Sequence, residues 1–434
     1  MDVHEDPAQR PLKRLLYIAY HFPPLQGSTG IARTLSFARY LRDWNWDVTV
    51  LTVKPSAYSE IREQNYAFIP QHVRVVRTAA FDAARDFSLF GRYPGMLANP
   101  DKWQSWILFG TLAAWRIVRQ WRPHAIVSTY PIASAHRIGY LTHRLSGLPW
   151  IADFRDPMAQ PEHNFPSDPR MRRSFDRIEA QAFSRAARIL VTTPGAARRY
   201  AERFPAYPRA NLITLTNGFD PEMFSGLAPN AAPEALAGRP LRLLHSGLLY
   251  PEERDPLPLF AAIASLRDEG FLSADSVQFQ FRASGQEARY APHIAQLRLQ
   301  SIVRFTPPIP YREAVAEMAC ADGLLILQAA NCNDQIPAKL YEYLYTGRPV
   351  LNLTDPPGDT AQLVSGLGSP YIARLDSAAE IRTGLIRFID DLRNDRGFVV
   401  PREQVTRFSR QTLTGDLARV LDEITRVDAR AASH

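Results

Sequence analysis

Two cysteines, Cys320 and Cys332, are all that 434 residues contain. So few exclude a disulfide framework and a four-thiolate metal site, and they predict a reducing compartment, the cytoplasm. No stretch reaches the ~20 apolar residues needed to span a bilayer. The apolar run LLYIAYHF stops at Pro23 and Pro24, and the polar, partly acidic MDVHEDPAQRPLKR ahead of it lacks the pattern of an export signal. Zinc-finger spacing, an RNA-binding aromatic strand motif and long Lys/Arg runs are absent too. A net charge of +7 nevertheless suggests an anionic partner, unless the protein is simply a soluble one rich in arginine. The absences rank nucleic acid last, behind a phosphorylated ligand and an acidic membrane face.

With 46% hydrophobic and 22% charged residues the chain is ordinary globular material, too long for one typical core. Short apolar, β-branched runs alternate with longer stretches of helical period, the pattern of parallel βαβ units. The predicted strands of the first half are 14–20, 47–53, 73–79, 124–130, 149–154, 188–193 and 212–217. Those of the second half are 241–247, 277–284, 302–306, 323–328, 349–354 and 370–374. Between the halves, FDPEMFSGLAPNAAPEALAGRP reads as a linker around 221–240. The expected fold is α/β, two Rossmann-like doubly wound domains over 1–222 and 223–400 facing a central cleft, with a helical appendage over 401–434. Ligands are expected beyond the strand C-termini.

One such strand, GLLILQ, leads into AANCNDQ and then IPAKLYEYLYTGRPV. Pro337 suits the first helical position and Gly347 with Pro349 a stop, so the spacing predicts a helix from about Pro337 to Thr346. Its N-terminal amides, those of Ala338 and Lys339 among them, offer a seat for a phosphate. A lysine in that first turn opposes the helix dipole and makes sense beside an anion. Glu342 lies one turn deeper on the same face, placed to accept from a vicinal diol such as a ribose. The alternative on spacing alone is an exposed Lys339–Glu342 ion pair worth a few tenths of a kcal/mol.

At these residues the chain resembles the family-4 retaining glycosyltransferases of GT-B fold, in particular a subgroup with the pattern P-x-K-L-x-E-Y-L-x-x-G-x-P. The resemblance implies that Glu342 binds the donor ribose and that Asp334, eight positions upstream, takes the place of a Glu that contacts the donor sugar or phosphate. Asp is one methylene shorter, and Pro337 stands where many members have glycine. The loop of HFPPLQGSTGIARTLSFARYL is similar to the family's first-strand loop, where Gly27, Ser28 and Gly30 would let amides approach the reacting centre. PWIADFRDPM resembles a strand end near the acceptor, which puts Arg155 and Asp156 there, unless they simply pair with each other. HSGLLYPEERDPLPLF resembles the segment that grips the diphosphate, bringing in Ser246, Gly247 and Arg254, with Leu248 where the family has arginine. FSRQTLTGDLARVL resembles the helix that packs back onto the first domain.

The resemblance implies hexosyl transfer with retention, from a nucleotide-diphosphate sugar as co-substrate to a saccharide or lipid-linked saccharide. No protein nucleophile, other cofactor or metal is implied, and the chain has no D-x-D triplet. The expected setting is bacterial surface polysaccharide synthesis. Two rivals remain at this level: a nucleotide-sugar 2-epimerase on the same fold, and a catalytically silent nucleotide-sugar binder. The segment DKWQSWILFGTLAAWRIVRQWRPH gathers four tryptophans and three arginines. It reads either as a core-packed helix with solvated arginines or as an amphipathic helix touching an anionic membrane.

Overall fold

The computed structural model describes residues 11–26, 29–88, 95–159, 168–226 and 239–431. Its first sheet contains β1 (Lys13–Ala19), β2 (Trp46–Val53), β3 (Arg74–Thr78), β4 (Ala125–Thr129), β5 (Trp150–Arg155), β6 (Arg188–Val191) and β7 (Leu212–Thr214). All pairings are parallel, in the order β3-β2-β1-β4-β5-β6-β7. The second sheet contains β8 (Leu241–Ser246), β9 (Val277–Arg282), β10 (Val303–Thr306), β11 (Gly323–Leu327), β12 (Val350–Leu353) and β13 (Ile372–Ala373). It too is parallel, ordered β10-β9-β8-β11-β12-β13. These are two doubly wound Rossmann-like sheets, and every strand read from the sequence is present in them.

Parallel strands covered by helices on both faces must be apolar on both. In β1 the consecutive residues Leu15 to Ala19 are fully buried. Leu16 and Ile18 enter one core layer, with Trp106, Trp150 and Tyr200, while Leu15 and Tyr17 enter the opposite one, with Phe37 and Trp46. The second sheet divides its residues in the same way: Leu325 and Leu353 go to one layer, Leu324 and Ile326 to the other.

The chain forms two compact units, residues 1–216 with 410–434, and residues 217–409. The crossings thus fall at Thr216/Asn217 and Ser409/Arg410, a few residues from 222 and 400. The reason is local packing. Phe219 is buried, its amide donates to the Phe408 carbonyl (3.2 Å), and its ring stacks on Tyr345 at 3.9 Å, so this short segment belongs to the second unit. Residues 227–238, most of the expected linker, lie outside the described residues. The helix Arg410–Ala431 lies on the first unit through Leu413, Leu417, Leu421 and Ile424, a spacing of one helical face. Asp422 on this helix accepts from Lys13 Nζ (2.7 Å) and Trp46 Nε1 (3.1 Å).

In each sheet the order reverses beside the first strand, between β1 and β4 and between β8 and β11. Such switch points open a crevice at the strand C-termini, where open α/β sheets bind ligands.

Candidate functional site

In the second unit the switch point lies between the loops that leave β8 and β11. The loop after β11 is pinned from below: the Gln328 side-chain amide donates to the carbonyls of Cys332 (2.9 Å) and Gln335 (2.8 Å), and the Asp359 amide donates to the Asn333 carbonyl (2.8 Å). Asp334 sits half-buried on this pinned loop, five residues ahead of Lys339. The helix that follows is Ala338–Thr346, with Gly347 ending it at φ 71°. Pro337 is not its first helical residue, as the spacing predicted, but the residue before it. At φ −56° and ψ 126° its backbone is extended, because a proline accepting the Leu340 amide (2.9 Å) closes the first turn from outside the helix. Leu340, Tyr341, Tyr343 and Leu344 bury the core face.

Lys339 emerges from the first turn toward β8. Its ammonium donates to His245 Nε2 at 3.2 Å. Glu342 Oε1 accepts from the hydroxyl of Tyr311, a half-exposed residue that opens the helix Tyr311–Cys320, and its charge acts on Lys339. His245 is fully buried in β8, and its Nδ1 donates to the Leu325 carbonyl of β11 (2.9 Å). Burial, with Lys339 second, holds its pKa well below the usual imidazole value, so the ring is neutral. Burial also pulls the Lys339 pKa well below that of an ordinary lysine; the nearby Arg254 adds to this and Glu342 opposes it.

Gly247 follows β8 at φ 122°, a conformation that favours glycine, and a Cβ there would meet Lys339 Nζ at 2.7 Å. The Ser246 amide donates to the Tyr343 hydroxyl (2.8 Å), which ties β8 to the Lys339 helix. Arg254 comes back over the loop: its guanidinium donates to the Leu248 carbonyl (3.1 Å) and lies 5.0 Å over the Tyr250 ring. Leu248 and Tyr250 are both about half exposed. Two cations, a glycine that permits close approach, and first-turn amides without intrahelical partners thus meet in one place. That combination suits a dianionic phosphate group.

In the first unit Arg155 ends β5. It is buried, with φ 58° and a register shift against β6 between Asp153 and Arg155. A left-handed non-glycine residue persists only when its surroundings over-determine it. Here the Thr192 hydroxyl (2.8 Å) and amide (3.2 Å) both donate to the Arg155 carbonyl, and Arg155 Nη1 donates to the Tyr130 carbonyl (3.2 Å). Arg155 is held by backbone, not by Asp156, which lies half-exposed beside it. The following turn is clamped by buried Glu179, which accepts from the Ala159 amide (2.9 Å) and the Tyr200 hydroxyl (2.8 Å). His21, just past β1, has its pKa pushed down to about 4 by burial and by the Arg155 charge, so it is a neutral ring at the same switch point. Gly27 and Ser28 lie outside the described residues.

Sequence reasoning missed His245, Tyr311, Tyr343 and His21. A histidine inside the apolar run LRLLHSG was the available signal for the first. Nothing local pointed to the other three.

The comparisons agree with this architecture. Residues 29–218 match the model of the glycosyl transferase 4-like domain. Sucrose-phosphate synthase from Thermosynechococcus elongatus is similar in structure at 15% identity and TM-score 0.68, covering 96% of this chain and 100% of its own. Anabaena HepE in complex with UDP follows at 16% identity and TM-score 0.67, with 95% and 100% covered. WaaG, a glycosyltransferase involved in lipopolysaccharide biosynthesis, stands at 14% and 0.63, with 94% and 99% covered. A UDP-N-acetylglucosamine 2-epimerase from Listeria monocytogenes is more distant, at 11% and 0.56, with 94% and 95% covered. No curated protein matches the sequence. The fold is the one that GT-B glycosyltransferases have, and the first unit carries the match to the glycosyl transferase 4-like domain.

Proposed function

We propose that the protein moves a hexosyl group from a nucleotide-diphosphate sugar to a saccharide or lipid-linked saccharide, with retention and without a metal ion or other cofactor, in bacterial surface polysaccharide synthesis. The observation that carries this is the seat formed by Lys339, Gly247 and Arg254 at the β8/β11 switch point, with Glu342 one turn deeper for the ribose. Asp334, the Ala338 amide and Ser246 border it. Such a site contributes positioning and charge stabilisation of a leaving diphosphate. The solved HepE complex with UDP-glucose and the role of WaaG agree with that donor class and setting. Arg155 and Asp156 serve the acceptor side in this proposal, and Gly27 and Ser28 the donor phosphate and reacting centre.

A thermal-shift screen of nucleotide sugars tests it. At 100 times its Kd, the true donor is expected to add ~2.7 kcal/mol of stability. Glu342→Ala is expected to abolish that shift while leaving the ligand-free melting point nearly unchanged. A large loss of intrinsic stability with the shift intact would make Glu342 structural. Donor consumption that requires an acceptor marks a transferase; isomerised donor without acceptor marks an epimerase, and binding without turnover a silent homologue.

The proposal includes a cytoplasmic protein that touches the inner membrane face. The helix Ser105–Trp121 packs Trp106, Ala114 and Ile117 into the core before β4. Its outer side leaves Leu108, Phe109 and Leu112 exposed beside Phe81 and Phe87, and continues into exposed Arg116 and Arg119. An apolar patch bordered by cations suits acidic lipid. Among the described residues no helix is long and apolar enough to cross a membrane. Vesicles containing phosphatidylglycerol are expected to carry the protein upward in flotation, and Leu108→Glu/Leu112→Glu to stay behind. Wild-type protein that remains wholly in the soluble fraction sinks the membrane contact.

A further inference from the structure

We infer that His245 is a positioning residue, whose Nε2 fixes the Lys339 amine over Gly247 so that it meets the anionic group of the ligand. The inference rests on the proposed donor seat and assigns that seat a part which neither the composition nor the helix spacing supplies. Three contacts define it. Nδ1 donates to the Leu325 carbonyl (2.9 Å), which fixes the tautomer and the ring plane. Nε2 of the neutral ring then turns its lone pair to Lys339 Nζ, 3.2 Å away, with the Gly247 backbone against the same ring. On its other side the same amine fills the space where any side chain at position 247 would begin. The lysine stem is long and has many rotamers, so a single fixed acceptor removes much of its freedom before the ligand arrives.

The arrangement also couples binding to a proton. The titratable and charged groups around the amine are His245 from β8, Arg254 from the loop after it, and Glu342 from its own helix. His245 stays neutral, and without an anion beside it the amine is biased toward giving up its charge, as described for its depressed pKa. A diphosphate supplies the opposite charge and restores it. Binding therefore takes up a proton at any pH above the ligand-free pKa of Lys339 and below the ligand-bound one. Within that window affinity falls as pH rises; below it affinity is flat.

The test uses isothermal titration of the full chain with uridine, guanosine and adenosine diphosphates, taking the tightest binder, in pairs of buffers with different protonation enthalpies. Wild type is expected to take up protons on binding at alkaline pH. His245→Asn keeps a donor for Leu325 but has nothing in the place of Nε2. It is expected to bind about tenfold more weakly, the factor that ~1.4 kcal/mol of lost charged hydrogen bonding gives. His245→Gln restores an acceptor at that reach and is expected to return affinity to within about threefold of wild type, under half of that loss. Equal affinity and proton uptake in His245→Asn and wild type overturn the inference, and so does an equal loss in both variants, which marks a packing role. Lys339→Met separates the two levels. If it binds like wild type, the donor seat itself is wrong; if it binds weakly while His245→Asn binds normally, only the role of His245 fails.

Discussion

Arg33→Ala is expected to cost about 3–5 kcal/mol of stability, the usual result of leaving one partner of a buried ion pair uncompensated. Arg33 lies on the helix Thr29–Tyr40, and both it and Asp153 of β5 are almost wholly shielded from water. The pair is bidentate: Nε donates to Oδ2 (3.0 Å) and Nη2 to Oδ1 (3.1 Å). The same guanidinium donates to the carbonyls of Thr216 (2.9 Å) and Leu215 (3.1 Å), the last residues of the first unit before the chain crosses. Alanine therefore orphans a carboxylate, which keeps only the Thr129 hydroxyl (2.9 Å), and takes a donor from the buried Leu215 carbonyl and the half-buried Thr216 carbonyl as well. The effect should appear in the urea transition of the first unit, with the transition of the second unmoved. Arg33→Met/Asp153→Leu is expected to recover much of the loss, since removing both charges removes the orphan. A loss below about 1 kcal/mol in the single variant would show that water reaches the site and screens it.

Gly247→Ala should separate stability from binding. The left-handed backbone costs about 1–3 kcal/mol for any side chain. The new Cβ also collides with the flexible end of Lys339, which can swing away, so the collision itself is cheap in stability. It is costly in ligand affinity, because the amine must leave His245 and the seat. Losing a charged hydrogen bond predicts a further ~1.5–3 kcal/mol of weakened donor binding. Lys339→Met and Arg254→Met should each show the same affinity loss while melting close to wild type. A Gly247→Ala protein that melts lower yet binds the donor fully would mean that the ligand's phosphate sits elsewhere.

The strands were legible because each is a short apolar, β-branched run between turn residues, and burial on both faces leaves no competing pattern. Strand order was not, because nothing local in LLYIAY states that it pairs with both β2 and β4. The chemistry divides in the same way. Lys339 and Glu342 stand out as charges on an otherwise apolar helix, whereas the partner of Lys339 is 94 residues away. Arg155 could be named from its motif, but its left-handed backbone has no glycine or asparagine to announce it; the Thr192 contacts that hold it come from the residue just past the next strand. Pro337 was misplaced by one position, since a proline is equally at home just before a helix and at its first residue.

The helix Arg410–Ala431 has a consequence for biosynthesis. Its Leu417 and Leu421 complete a core layer shared with Leu15, Tyr17 and Phe37, which are synthesised before the whole of the second unit. At roughly 5–20 residues per second, the intervening second unit takes on the order of ten to forty seconds to synthesise. Throughout that time the part of the layer that Leu417 and Leu421 cover lacks its helix. The first unit therefore closes this layer only after the second has been synthesised in full.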